Sequence, residues 1–172
     1  MLLSIVKYPD PILKVKCTPV LEVTDELREL AQNMIDTMYA APGVGLAAPQ
    51  VGETIRMLVM DPGGQTDLRR PRVLINPVLE CSGTKIKSER EGCLSVPMDY
   101  RADVERFSHV HLRARDLDWQ IIDEELDGFP AIIVQHEADH LDGVLFIDHI
   151  SRMRRSFYEK KVKKWMRMQE NA

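Results

Sequence analysis

Apolar residues return at a helical period in two stretches of the chain and alternate in a third. Leu27, Leu30, Ala31, Met34, Ile35 and Met38 recur at three- and four-residue intervals, which predicts an amphipathic helix to about Tyr39. Thr24 suits its N-cap, Asp25 and Glu26 put negative charge on its first turn, and Pro42 with Gly43 stop it. Phe129, Ile132, Ile133, His136 and His140 share one face of a second predicted helix. Asp127 is placed to cap it, Pro130 falls in the first turn where a missing N–H costs nothing, and Gly143 suits the left-handed end. Between Val104 and Arg115 the period drops to two. Val110, Leu112 and Ala114 point one way and His109, His111, Arg113 and Arg115 the other, the pattern of an antiparallel strand with one wet face.

Shorter elements fill the intervals. Ile55 to Met60 reads as a buried strand ended by Asp61-Pro62-Gly63-Gly64, with an exposed loop from Gly63 to Pro71. Val73 to Glu80 is extended, and Pro77 confines it to an edge or a bulge. Tyr8-Pro9, Asp10-Pro11 and Thr18-Pro19 keep residues 1–20 out of a helix. Ser151 opens a terminal helix in which Met153, Phe157, Lys161, Lys164 and Met168 mark one side.

Composition narrows the class. At 172 residues and 44% hydrophobic, the chain is expected to form a single domain, residues 1–172, without needing disulfides. Lys+Arg 23 against Asp+Glu 27 gives a net charge of -4, which does not suit a dedicated DNA binder. The basic residues nevertheless gather at one end: Arg152, Arg154, Arg155, Lys160, Lys161, Lys163, Lys164 and Arg167 are opposed only by Glu159. The 3 cysteines, Cys17, Cys81 and Cys93, are odd in number and lack a disulfide framework, which points to a reducing compartment. No stretch approaches the ~20 apolar residues of a membrane span. The expected location is the cytoplasm, or an organelle after loss of a transit segment.

The chemistry concentrates in Gln135-His136-Glu137-Ala138-Asp139-His140. Imidazoles four apart on a helix reach adjacent corners of one metal ion, and Glu137 beside them stays free to handle protons. A catalytic site of this kind needs a third protein ligand. The third-histidine position of the longer zinc-hydrolase signature holds Phe146, which cannot bind metal. Asp148, His149 and Glu159 remain possible by reach. Cys93 is the better candidate, because a thiolate binds borderline-soft ions strongly and Gly92 leaves room around it. His109 and His111, two apart on a strand, sit in a row of arginines and read as a solvated face, since positive charge repels a cation. The glycine-rich run from Gly43 to Gly52 lets another backbone approach, and its lone amide, Gln50, belongs at the edge of a site.

Three segments together carry a resemblance. Gly43-Val44-Gly45-Leu46-Ala47-Ala48-Pro49-Gln50, Glu91-Gly92-Cys93-Leu94-Ser95 and Gln135-His136-Glu137-Ala138-Asp139-His140 resemble, in order and spacing, the three motifs of the peptide deformylases. The resemblance implies an α+β fold, with antiparallel β-sheets around the metal-binding helix and further helices toward each end. It implies that Cys93, His136 and His140 hold one divalent ion, ferrous iron (Fe2+) in the cell with Ni2+, Co2+ or Zn2+ as substitutes. Glu137 would be the general acid and base, with Gln50 and the Leu94 N–H as oxyanion donors. The partner would be the N-formylmethionyl end of a nascent protein, deformylated with release of formate. Val44, Phe129, Ile132 and Ile133 would form an apolar methionine pocket, and Gly45 and Gly92 would let the peptide lie extended against the backbone. Glu89 departs from the apolar residue common before the cysteine motif. Arg101 is expected to pair with Glu91 and hold the cysteine loop, and the basic terminal helix to touch ribosomal RNA. Two rivals stay open: a metalloendopeptidase with a downstream third ligand, and a metal-stabilised module without catalysis.

Overall fold

A computed structural model describes residues 1–172. The chain forms helix α1 (Asp25–Ala40), strands β1 (Gly45–Ala47), β2 (Met57–Met60), β3 (Arg72–Glu91), β4 (Ala102–Arg115) and β5 (Ile121–Asp127), and helices α2 (Phe129–Leu141) and α3 (Arg152–Glu170). The strands form one sheet in chain order, β1-β2-β3-β4-β5, antiparallel throughout. The architecture is therefore the expected α+β mixture, built on a single sheet.

The first part of the sheet is covered on both faces, which explains its uninterrupted apolar run. Met57 and Val59 face α1 and pack with Ala31, Met34 and Met38. Leu58 and Met60 face the opposite way, onto Ala131, Val134 and Leu141 of α2. Alternation along the strand thus feeds two cores, and no position is left for a polar residue. Thr24 caps α1 as expected, its hydroxyl accepting the Leu27 N–H at 3.2 Å.

Strand β3 is long and broken three times, with register shifts between Ile75 and Val78, Ser82 and Lys85, and Ser88 and Glu91. The first coincides with Pro77, which could not have donated to a continuous ladder. The last contains Arg90 at φ 50, and it turns buried Glu91 inward beside the cysteine loop.

Three expectations fail on packing. Asp127 does not cap α2. It is the last residue of β5, its carboxylate bound to His109 Nδ1 at 2.7 Å, and Gly128 at φ 65 alone makes the strand-to-helix turn. The wet face of β4 is not a positive row, because Asp123, Glu125 and Asp127 lie across from Arg113, His111 and His109 on β5. The proposed stripe on α3 points outward: Met153, Phe157 and Met168 are exposed. Tyr158 and Val162 are buried instead. Tyr158 donates to the Pro97 carbonyl at 2.9 Å, and its ring centroid lies 4.3 Å from that of Tyr100. The inward face runs through Tyr158, Val162 and the partly buried Trp165, spaced i, i+4 and i+7, and Tyr158 and Val162 join the apolar cluster of Phe146 and Ile147.

Candidate metal and catalytic site

Helix α2 is buried along most of its length, with Ile133, Val134, Gln135, His136, Glu137, His140 and Leu141 all buried. Close packing of this kind restricts the rotamers open to its side chains. The Cys93 Sγ and one ring nitrogen each of His136 and His140 lie within 4.8 Å of one another. Cys93 Sγ is 3.4 Å from His140 Nε2. The sulfur and the two rings, 43 and 47 positions apart in the chain, therefore converge on one point.

Their surroundings favour a cation. His136 Nδ1–H donates to Glu91 Oε1 at 2.6 Å, which fixes the tautomer and leaves Nε2 facing the site. In the metal-free protein, burial, then the charge His136 carries there, then Arg106, hold His140 well below the usual imidazole range, so His140 is neutral as a ligand must be. Burial alone would raise Glu91, but hydrogen bonds from His136 and Arg106 outweigh it and bring its carboxyl to about 2. Glu137 goes the other way: burial pushes it up to about 7. Its Oε2 is buried without a hydrogen-bond partner, as is His140 Nδ1. A carboxyl poised near neutrality, next to a cation site and with one oxygen unused, can take a proton and return it.

The glycine motif serves this carboxyl. A Cβ on Gly45 would sit 2.5 Å from Glu137 Oε1 and 2.7 Å from its Cγ, so only glycine lets strand β1 run against that side chain. Gln50 follows in a one-turn 3₁₀ helix and is 1% exposed. Its Oε1 accepts the Ala47 N–H at 2.9 Å, which leaves Nε2 to donate to Ser95 Oγ at 3.1 Å and to Cys93 Sγ at 3.4 Å. The backbone N–H of Ala47 is a donor only, so the orientation of the amide follows.

A cleft of about 720 Å³ opens beside these groups and is lined by Val44, Gly45, Gly92, Phe129, Ile132 and Ile133, all expected at a pocket. Phe129 is 52% exposed and forms its rim. Lys7, Glu89, Met98 and Arg101 also line it and were not foreseen apart from the position of Glu89.

The expected Arg101–Glu91 pair does not form. Arg101 binds Asp99 at 3.0 Å and its guanidinium lies against Gly92, while Glu91 pairs with Arg106 at 2.5 Å. Arg106 is 4% exposed and gives its remaining Nη1–H to Asp139 at 2.8 Å. A signal for it was available. Arg106 shares the inward parity of Ala102, Val104, Val110 and Leu112, and an arginine at an apolar register must have buried acidic partners. The other candidate ligands lie elsewhere: Asp148 accepts the Leu145 N–H at 2.8 Å, His149 binds Asp139 at 2.8 Å, and Glu159 lies 3.8 Å from Arg155.

Comparison with known proteins agrees with this geometry. A family model described as polypeptide deformylase matches residues 2–156. The peptide deformylase of Maricaulis maris is 48% identical over 161 residues, covering 94% of this chain and 92% of that protein. That of Caulobacter vibrioides is 50% identical over 152 residues, covering 88% and 87%. A crystal structure of a peptide deformylase from Legionella pneumophila superposes with a TM-score of 0.89 at 36% identity, covering 100% of this chain and 99% of that one. One from Synechococcus elongatus, in complex with actinonin, gives a TM-score of 0.86 at 36% identity over 94% and 88%. With the three motifs gathered around one cation site and the match spanning nearly the whole length, the chain belongs to the peptide deformylase family.

Proposed function

We propose that this chain, as one catalytic domain, hydrolyses the N-formyl group from the terminal methionine of newly made proteins and releases formate. The observation that carries the proposal is the convergence of Cys93, His136 and His140 beside a buried Glu137 held near neutrality. One thiolate and two imidazoles suit a borderline divalent ion, so the three residues fit ferrous iron, nickel, cobalt or zinc, with iron the ion used in the cell. Such an ion supplies Lewis acidity and makes water acidic near neutral pH.

The protein's own groups do the rest. Glu137 takes the proton from the attacking water and delivers it to the leaving amine, a role open to it because its buried Oε2 has no hydrogen-bond partner. Gln50 Nε2 and the Leu94 N–H donate to the oxygen that gains charge as the formyl carbon becomes tetrahedral. Each such donor contributes ~3–4 kcal/mol in sites of this kind. Val44, Ile132, Ile133 and Phe129 receive the methionine side chain, and Gly45 and Gly92 let the peptide backbone lie extended beside them. The test is formate release from a formyl-methionyl peptide together with metal analysis. Wild type should turn over, and Glu137→Ala should keep its metal and lose turnover; equal turnover would refute the assignment.

The same reading places the enzyme in the cytoplasm at the ribosome, with the basic helix α3 touching RNA phosphates. Arg152, Arg154, Lys160, Lys161, Lys163, Lys164 and Arg167 are all exposed, and no helix is long and apolar enough to cross a membrane. Phosphate contacts weaken with salt. Removal of residues 152–172 should therefore abolish ribosome co-sedimentation at low salt, and unchanged co-sedimentation would refute this part.

A further inference from the structure

The buried charges around the cation site continue to the surface, and we propose that His149 is a positioning residue for the ligand His136, acting through Asp139, Arg106 and Glu91. The inference rests on the metal-site reading above. His149 Nε2 and Arg106 Nη1 both donate to one oxygen, Asp139 Oδ2, each at 2.8 Å. Arg106 gives its other donors, Nε and Nη2, to the two oxygens of Glu91 at 3.3 and 2.5 Å. Glu91 Oε1 then takes the His136 Nδ1–H at 2.6 Å. Four hydrogen-bonded links thus run from an exposed imidazole, through carboxylate, guanidinium and carboxylate, to a ring that faces the metal site.

Asp139 is the weak point of this chain. Arg106 and His149 are its only side-chain partners, and it borders a second cleft of about 540 Å³ on the far side of α2. Without His149 the carboxylate can swing toward that cleft. Arg106 then keeps only Glu91, and the carboxylate that orients His136 loses its fixed plane. His149 has its backbone anchored by its neighbours. It ends a one-turn 3₁₀ helix, Phe146–His149, whose buried Phe146 ring lies 6.2 Å from the His136 ring at an interplanar angle of 23°. One short turn therefore steadies His136 twice, through the Phe146 ring and through the His149 chain. The link ties metal retention to the segment that leads into α3.

The experiment loads the full-length protein with one equivalent of Co2+ and follows metal release into a chelator, with the cobalt absorption spectrum as a second readout. His149→Ala and the bulk-preserving His149→Phe should release metal faster by up to about tenfold, the low end of what losing a ligand's direct outer-shell partner costs, since His149 acts on that partner through two others. They should shift the cobalt bands and lower kcat with KM unchanged. His149→Gln, which keeps an N–H for Asp139, should restore both the release rate and the spectrum. Release at the wild-type rate from Ala and Phe variants, or failure of Gln to restore it, would overturn the inference while leaving the metal site standing. If wild type takes up no stoichiometric Co2+, the metal-site reading fails and this inference with it.

Discussion

Substituting Gly45 by alanine tests how closely the active carboxyl is fitted. The new methyl carbon would start 2.5 Å from Glu137 Oε1, 2.7 Å from Cγ and 2.8 Å from Cδ. Ordinary carbon contacts are about 3.5 Å or more. Relief therefore requires a shift of roughly 1 Å in either β1 or the carboxyl. Strand β1 cannot yield easily, because it is paired with β2 from Gly45↔Met60 to Ala47↔Leu58 and its Leu46 and Ala47 are fully buried. Glu137 must move instead, and its proton-transfer distance with it. A displacement of about 1 Å at a reacting group costs on the order of a hundredfold in rate. Formate release by Gly45→Ala should accordingly lose about two orders of magnitude in kcat. Metal content should stay at one equivalent, since none of the three ligands is touched. A variant within threefold of wild-type kcat, with Glu137 unmoved in its crystal structure, would refute the fit argued here.

Three further outcomes follow from buried charge and donor chemistry. Arg106→Leu leaves Glu91 and Asp139 without their shared cation and should destabilise the fold by about 3–5 kcal/mol in urea titration. A loss under 1 kcal/mol would show the network to be dispensable. In the metal-free protein, the Glu137 carboxyl has a folded value of about 7 against an ordinary 4.5. A raised folded pKa means its favourable state is the protonated one, complete below about 4.5 and lost as pH rises through 7. Glu137→Gln should then match wild-type stability near pH 4 and exceed it at pH 8 by on the order of 3 kcal/mol, read as an unfolding midpoint; an equal gap at both pH values would contradict this. Cys93→Ser should fall well below one equivalent of bound metal after dialysis, while Asp148→Asn and Glu159→Gln keep theirs. The reverse pattern would restore the endopeptidase reading.

What could be read from the chain alone was whatever depends on residues near one another in sequence. The helix from Asp25 to Ala40 announced itself by period and cap, and the pair His136 and His140 by the geometry of one helical turn. Cys93 was reached by the chemistry of its ligand atom, and the resemblance of three motifs joined it to the histidines. Glu89, Lys7 and Arg101 could not be placed in the cleft that way, because nothing local says which loops share a rim. The network Glu91–Arg106–Asp139–His149 depended wholly on tertiary structure: the β3 bulge at Arg90 turns Glu91 inward, and β4 carries Arg106 across to α2. The rotation of α3 was decided by the apolar cluster around Phe146 that receives Tyr158 and Val162, with the Pro97 carbonyl accepting the Tyr158 hydroxyl. Periodicity registers only which side of an element avoids water. Which buried charge meets which is settled by long-range strand register and by the need to pair every ion removed from solvent, and neither is written in local order.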